Sequence, residues 1–483
     1  MRLNHALLLT LGTLSMVFAA GCGGGNTVLP PPIGTYSAAS LNGSYVYQVH
    51  GTSNLGAYRE VGVFTADGAG HVTGGSDDLA TGGVVSHAIS GTYQVAGDGT
   101  GFLTINPTAL GSITFAITLA STSKVYLMEA DAFADGTGVA ELQSAAGTTP
   151  SGTYTYRLHQ VPLTAQNPVS EVGAMTITGG AVTGNLDQNL GGASSQLTLT
   201  SGTINPPAAL GRGTGSITDS TNFTTNFIYY IVNGGKLAFL VTNSGVVEAG
   251  SAESQSGAVA NGLSGSYAFG SRGDIGTLYD SAATVGQFTA AGGTISAYSD
   301  DLMQLGTYGN DSFTGTYTAQ ANGRVAVALN SGAVQDVFWM VNPSRAFFLV
   351  NDPNRVEDGT ADLQTAGSFT AATFNKQYAM VMDGVDFILN PEILARIGTA
   401  TFNGTSRLSV NELANASNSG VGAQSPGGIS GSYQVTANGR IVGNLTSQSG
   451  FLTVVMYGVS GSDAYALQVD NATNTSGMIE LQH

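Results

Sequence analysis

The sequence predicts an all-β protein of four tandem modules, each about 110 residues long and folded as an eight-stranded antiparallel meander that closes into an up-and-down barrel. Three observations lead there: four ordered landmarks recur in four copies, apolar residues alternate with small or polar ones, and turn signals are dense. The opening landmark is a strand start ending in tyrosine, at Leu41-Asn42-Gly43-Ser44-Tyr45, Ser151-Gly152-Thr153-Tyr154, Leu263-Ser264-Gly265-Ser266-Tyr267 and, degenerate, Phe374-Asn375-Lys376-Gln377-Tyr378. The four tyrosines are 109, 113 and 111 residues apart. A second landmark follows at Val61-Gly62, Val172-Gly173, Val285-Gly286 and Ile397-Gly398. Mid-module, Ser90-Gly91-Thr92-Tyr93 recurs at Thr314–Tyr317 and Ser430–Tyr433, while Ser201-Gly202-Thr203-Ile204 lacks the aromatic. Each copy closes on an acid and a glutamine, at Glu141/Gln143, Glu253/Gln255, Asp362/Gln364 and Glu480/Gln482.

The chain opens with Arg2, a mostly apolar run from Ala6 to Ala20, and small residues before Cys22. This is the layout of a secretory leader, and the run is shorter than the ~20 residues of a spanning helix. Phe18-Ala19-Ala20-Gly21-Cys22 resembles the lipobox of bacterial lipoproteins. The resemblance implies cleavage before Cys22, diacylglycerol on its thiol, and acylation of the new amine. Several acyl chains make a stable anchor, each buried methylene contributing ~0.8 kcal/mol. Gly23 follows the cysteine where an inner-membrane retention signal has Asp, so the resemblance implies the outer membrane or cell surface. Cys22 is the only cysteine, which excludes a disulfide within the monomer. Residues 22–40 then form the anchor and a glycine- and proline-rich spacer that lifts the folded part off the membrane.

The modules are delimited as 41–143, 150–255, 263–364 and 374–482. In the first, strand-like runs fall at 44–50, 60–66, 71–79, 87–95, 101–106, 112–119, 124–130 and 137–143. Between such runs sit Asp67-Gly68, Asn233-Gly234, Asn322-Gly323 and Asn438-Gly439, pairs suited to the positive φ of tight hairpins. Connections this short cannot hold a crossover helix, so consecutive strands pair antiparallel, and closure removes the exposed edges. A two-sheet sandwich is the alternative. The opening Gly-x-Tyr is similar to the Gly-x-Trp of lipocalin and avidin barrels, and the tandem pattern resembles large secreted repeat proteins of soil bacteria; neither resemblance transfers a ligand residue. Short joints predict separate modules strung like beads. In the fourth copy Asn390-Pro391-Glu392-Ile393-Leu394-Ala395-Arg396 is an insertion with an N-cap followed by proline, which predicts one helical turn or a lid over a barrel mouth, with a plain loop insertion as the simpler alternative.

Function is bounded by charge and motif. The net charge is −17 and only 9% of residues are charged, too few cations to displace counterions from nucleic acid. There is no Gly-x-Ser-x-Gly elbow, His-Glu-x-x-His or P-loop. His50, His71 and His87 lie near strand ends of one copy but not at metal-motif spacing. Asp77-Asp78, Asp187, Asp300-Asp301 and Glu412 occupy matched places that read as turn acids or, less simply, calcium ligands, and Asp131, Asn243, Asp352 and Asp470 end the seventh strand. Trp339, the only tryptophan, lies in a wholly apolar run, Val337–Val341, that reads as core. The bulky inward set Ile113, Phe115, Ile117, Leu119, Val125 and Leu127 predicts filled barrels. The expectation is therefore a non-catalytic envelope lipoprotein with a structural, adhesive or interaction role. It has no metal or other cofactor, and its partners are the membrane, through Cys22, and an extracellular or periplasmic ligand. A small-ligand carrier or a hydrolase is the alternative.

Overall fold

The computed structural model describes residues 36–483 apart from 55, 133, 162–166, 331, 333, 388–390, 417–421, 449 and 471–472. Cys22, the leader and most of the spacer lie outside the described residues. In module 1 the strands are β1 (Asn42–Ser53), β2 (Gly56–Asp67), β3 (His71–Ala80), β4 (Val84–Val95), β5 (Thr100–Pro107), β6 (Ile113–Ser121), β7 (Lys124–Glu129) and β8 (Ala134–Leu142). Each pairs antiparallel with the next, and β8 returns to β1 with Leu142 opposite Tyr45, closing the barrel. The other three modules close the same way, so the barrel is confirmed over the sandwich.

The landmarks explain the closure. The opening tyrosine points inward and its hydroxyl donates across the barrel to the turn between the sixth and seventh strands: Tyr45 to Thr122 O at 2.6 Å, Tyr267 to Pro343 O and Tyr378 to Gly461 O at 2.7 Å. The mid-module tyrosine ties the fourth strand to the segment before the first, Tyr93 to Leu41 O at 2.7 Å and Tyr317 to Leu263 O at 2.6 Å. The glycine of the Val-Gly pair makes room for the first strand. A Cβ on Gly62 would stand 2.7 Å from the Tyr47 ring, and one on Gly286 would stand 2.4 Å from Phe269.

One expectation is overturned locally. Residues 392–402 of the fourth module are the strand Glu392–Phe402, not a helical turn, with Glu392 opposite Asp386 in the hairpin. Ile393 and Leu394 are buried there, so pairing and burial override the proline-led start. Residues 388–390, including Asn390, lie outside the described residues.

The second correction concerns the whole molecule. The modules are not beads; they pack side by side in a closed ring. The outer faces of the first and second strands of each module bury against the sixth and seventh strands of the next. Val46, Val61 and Val63 meet Tyr230 and Leu240; Val172 and Ala174 meet Trp339 and Phe347; Val285 meets Tyr457 and Leu467. The fourth seam returns to the start, with Ala395 and Ile397 against Ala116, Tyr126 and Met128. Gly270 is the point of closest approach at the third seam, where a Cβ would lie 2.5 Å from the Tyr465 ring. Fully burying such side chains contributes about 1.5–3 kcal/mol each, which holds the modules together despite short joints.

The closing motif is the clasp. In every copy the glutamine amide donates to two carbonyls of the following module: Gln143 to Leu210 and Ile231, Gln255 to Asn322 and Met340, Gln364 to Asn438 and Gly458, and Gln482 to Asp98 and Leu119. The last of these joins the end of the chain to module 1. Tyr36, the first described residue, donates to His483 O at 3.2 Å, so both ends of the described chain meet at the near end of the barrels.

Candidate functional site

The acids expected in turns lie within third strands and divide by face. Asp78, Asp187 and Asp301 point out of their barrels into the seams. Each accepts a bidentate pair from an arginine of the next module, Arg212 (2.8 and 2.9 Å), Arg324 (2.7 and 2.7 Å) and Arg440 (2.7 and 2.6 Å). Each also accepts from an aromatic donor, Tyr230 at 2.6 Å, Trp339 Nε1 at 2.8 Å and Tyr457 at 2.8 Å. Trp339 is thus buried between modules rather than inside a barrel. At the fourth seam the same strand positions carry Leu413, Thr100 and Thr118, so the three polar partners are replaced together.

Asp77, Asp300 and Glu412 point inward instead. Each barrel is apolar at its near end and polar toward its far end. In barrel 1, Tyr47 donates to Glu60 (2.8 Å), Tyr58 to Glu129 (2.6 Å), and His87 pairs with Asp77 (3.1 Å). Burial pushes the Glu129 carboxyl up to about 8 and that of Asp77 to about 7. In barrels 3 and 4 arginines answer the acids, Arg355 to Glu357 and Arg396 to Glu412, both at 3.0 Å. Barrel 4 retains a cavity of about 30 Å³, room for a single water. Asp131, Asn243 and Asp470 accept from backbone N–H groups of Thr114, Asn226 and Thr453 at 2.5–2.8 Å, as strand-end caps. The closing acids Glu141 and Glu253 reach cations of the next module, Lys236 and Arg345, and Glu480 reaches Lys124 of the first.

The three histidines of module 1 do not converge. His71 pairs with Asp67 in an exposed turn, His87 is inside barrel 1, and His50 faces the ring's axis. There the repeat creates a site. Five residues after the opening tyrosine, on the outer face of each first strand, stand His50, His159, Arg272 and Asp383. The ring turns these four equivalent positions toward one another. Asp383 accepts from His50 Nε2 at 2.8 Å and from Arg272. His159 is held by Asp358 on Nδ1 (2.8 Å) and Asp274 on Nε2 (3.3 Å), and Arg157 also reaches Asp358 (3.3 Å).

Burial, followed by the neighbouring Arg272 charge, lowers His50 to about 4, so it is neutral at pH 7. Burial works against the charged form of His159 too, but its bonds to Asp274 and Asp358 outweigh this and raise it to about 10. Burial also opposes the Asp383 charge, and Arg272 and His50 more than offset it, holding the carboxyl well below the usual range. Asp280 is raised to about 6, chiefly by burial. Ser170 lies 2.8 Å from His159 Nδ1, but an imidazolium locked between two aspartates cannot take the serine's proton. Ligand atoms of His50, Asp280 and Asp383 lie within 4.8 Å of one another. Arg272, on Asp383 and 3.9 Å from Asp280, already fills the place of a cation. Beside this cluster is an open cleft of about 150 Å³, with residues of three modules in its wall.

No family model matches the chain. No curated protein matches it either. Among solved structures it aligns with a double mutant of the vaccine antigen transferrin binding protein B from Haemophilus parasuis Hp5, at 12% identity and a TM-score of 0.18 over 74% of this chain and 82% of that one. At that TM-score the likeness carries no argument, and function is argued from the geometry of the ring.

None of the axial residues was singled out in the sequence as a group. The signal that could have found them is the column itself: in a four-copy repeat, one aligned position holds His, His, Arg and Asp, four polar or charged residues on the outer face of the first strand.

Proposed function

We propose that the chain is a lipid-anchored protein of the bacterial outer membrane or cell surface, acylated at Cys22, whose four barrels act as one rigid display unit in a non-catalytic structural or interaction role. The observation that carries this reading is the joint closure of the molecule. The barrels are filled by their own side chains, and the ring is fastened at every seam, which leaves surfaces rather than barrel interiors for recognition. The small-ligand carrier has little room inside barrel 4, and the axial histidines are engaged by carboxylates rather than poised as bases. Both ends of the described chain lie at the near end of the ring, which suits an anchor there and a far face turned away from the membrane. The test is expression of the full chain and of Cys22→Ser in a Gram-negative host with an alkyne-labelled fatty acid. The wild type is expected to take up label and sediment with membranes, and the variant to do neither. An unlabelled wild type, released without detergent, would remove the anchor from this reading.

A further inference from the structure

Arg59 is a buried arginine with no carboxylate in direct contact, although its charge acts on Asp280 and Glu248 from farther off. It sits on β2 beside His50, at the position held by Ser170, Ala283 and Ala395 in the other modules, and it is 5% exposed. Apart from exposed Arg407, every other described arginine makes an ion pair with a carboxylate. Arg59 makes none. Its Nη1 donates to the Tyr279 hydroxyl at 3.0 Å and, at 3.4 Å, to Tyr58 O, and its guanidinium lies 5.4 Å from the centre of the Tyr279 ring. Nε and Nη2, the other edge of the fork, have no protein acceptor among the described residues. Arg59 lines the axial cleft.

A planar fork with two N–H groups free of protein acceptors matches the two oxygens of a carboxylate. We propose that the axial cleft is a binding site for a small monocarboxylate, its two oxygens accepting from Nε and Nη2 of Arg59. Size and charge narrow the class. A volume of about 150 Å³ is that of a cavity able to take a benzene ring, which admits a carboxylate carrying roughly two to four carbons. Asp280 and Asp358 line the cleft, and together with Asp274 and Asp383 they pair with Arg157, His159 and Arg272, four acids to three cations. Arg59 evens that count, so a monocarboxylate adds one negative charge to a balanced set and a dianionic phosphate adds two. The site needs the ring, because Arg59 comes from module 1, Arg157 from module 2, and Tyr279 and Arg272 from module 3.

The experiment uses the full chain in detergent, in phosphate-free buffer at fixed ionic strength, titrated with acetate, propionate and lactate by calorimetry, with chloride and phosphate as controls. Saturable binding of at least one of the three monocarboxylates, tighter than phosphate, is expected. Arg59→Met should weaken it roughly 10- to 100-fold, as loss of a charged hydrogen-bonding partner does. Without ligand that variant is expected to keep the fold, as its melting temperature will show. Tyr279→Phe, which keeps the ring but frees Nη1, should weaken binding several-fold. No saturable binding, or binding equal in wild type and Arg59→Met, overturns the proposal. So does an Arg59→Met protein that melts far lower beside an unresponsive wild type, which would make the arginine structural. Should Arg59→Met not fold, unchanged affinity in Tyr279→Phe overturns it alone. Proton NMR of the carboxylate after incubation separates the two readings: turnover would sink the non-catalytic role while leaving the site, and absent binding would sink the site alone.

Discussion

Asp77 and Asp78 are neighbours that do opposite work. Asp78 faces the seam, where Arg212, Ser86 and Tyr230 overcome the cost of burial and lower its carboxyl. Asp77 faces the barrel, where burial raises it. The inward set is large: Glu129 is pushed to about 8, and Glu171, Asp300 and Asp336 to about 7, each chiefly by burial. These groups are protonated in the folded state where the unfolded chain, with carboxyls near 4, is already ionised. Their stabilisation is present below that value and is lost as pH rises through 7–8. Asp78, Asp358, Asp383 and Glu141 are lowered, so their contribution is present above the unfolded value and lost in stronger acid. His50, lowered to about 4, opposes the trend between about 4 and 6.5, but it is one group against several. The melting temperature is therefore expected to peak near pH 5 and to fall toward pH 8.5, as a differential scanning series will show; a flat or rising profile would contradict the inward assignment. Alternation in the sequence placed Phe115, Ile117 and Leu119 inward, as found. It did not separate Asp77 from Asp78, because matched acids on a short strand look like a turn until both faces of that strand are known to be buried.

At the scale of elements, that second buried face was written in the sequence. Strands apolar on one side only would read as alternation, yet Phe227–Val232, Leu237–Val241 and Val337–Val341 are apolar throughout. A barrel wall needs one apolar face; a continuous run means the other is covered too. The sixth and seventh strands are the ones that carry the seams, and Trp339 sits in such a run. Hairpin positions were legible because Asn-Gly and Asp-Gly mark them, whereas the strand Glu392–Phe402 was misread because capping chemistry is local and the pairing that overrides it is not. The seam polar groups make a measurable claim. Asp187→Ala leaves the Arg324 guanidinium and the Trp339 N–H buried without their acceptor and is expected to cost about 3–5 kcal/mol in denaturant unfolding. A loss under 1 kcal/mol would show that the seam does not depend on this acid.

The whole molecule was the least legible, since the joints are short and polar and nothing local says that four modules turn through a full circle. The closing glutamines were visible as landmarks, but their partners are in the next module, and a motif at a strand's end does not name what it touches. The axial residues were hidden for the same reason: no two of the four equivalent positions share a module. Removing Gln482 and His483 deletes the clasp at the one seam that lacks the Asp-Arg-aromatic group. Hydrogen exchange in the truncated chain is expected to quicken at Leu119–Ala120 and along Ala395–Ile397 while the other three seams stay protected; uniform protection would show that the apolar contacts alone close the ring.

Head-to-tail contact of this kind either closes or grows without end, and here it closes at four. Bead-like arrays tolerate duplication or loss of a unit in their genes, because each unit is indifferent to the count. This molecule is not. A recombinant with three or five copies would leave a first-and-second-strand face uncovered at one side and a sixth-and-seventh-strand face uncovered at the other, both apolar and each seeking its counterpart on another chain. Chains of three or five copies are therefore expected to assemble into filaments or aggregates, where the four-copy chain stays closed on itself.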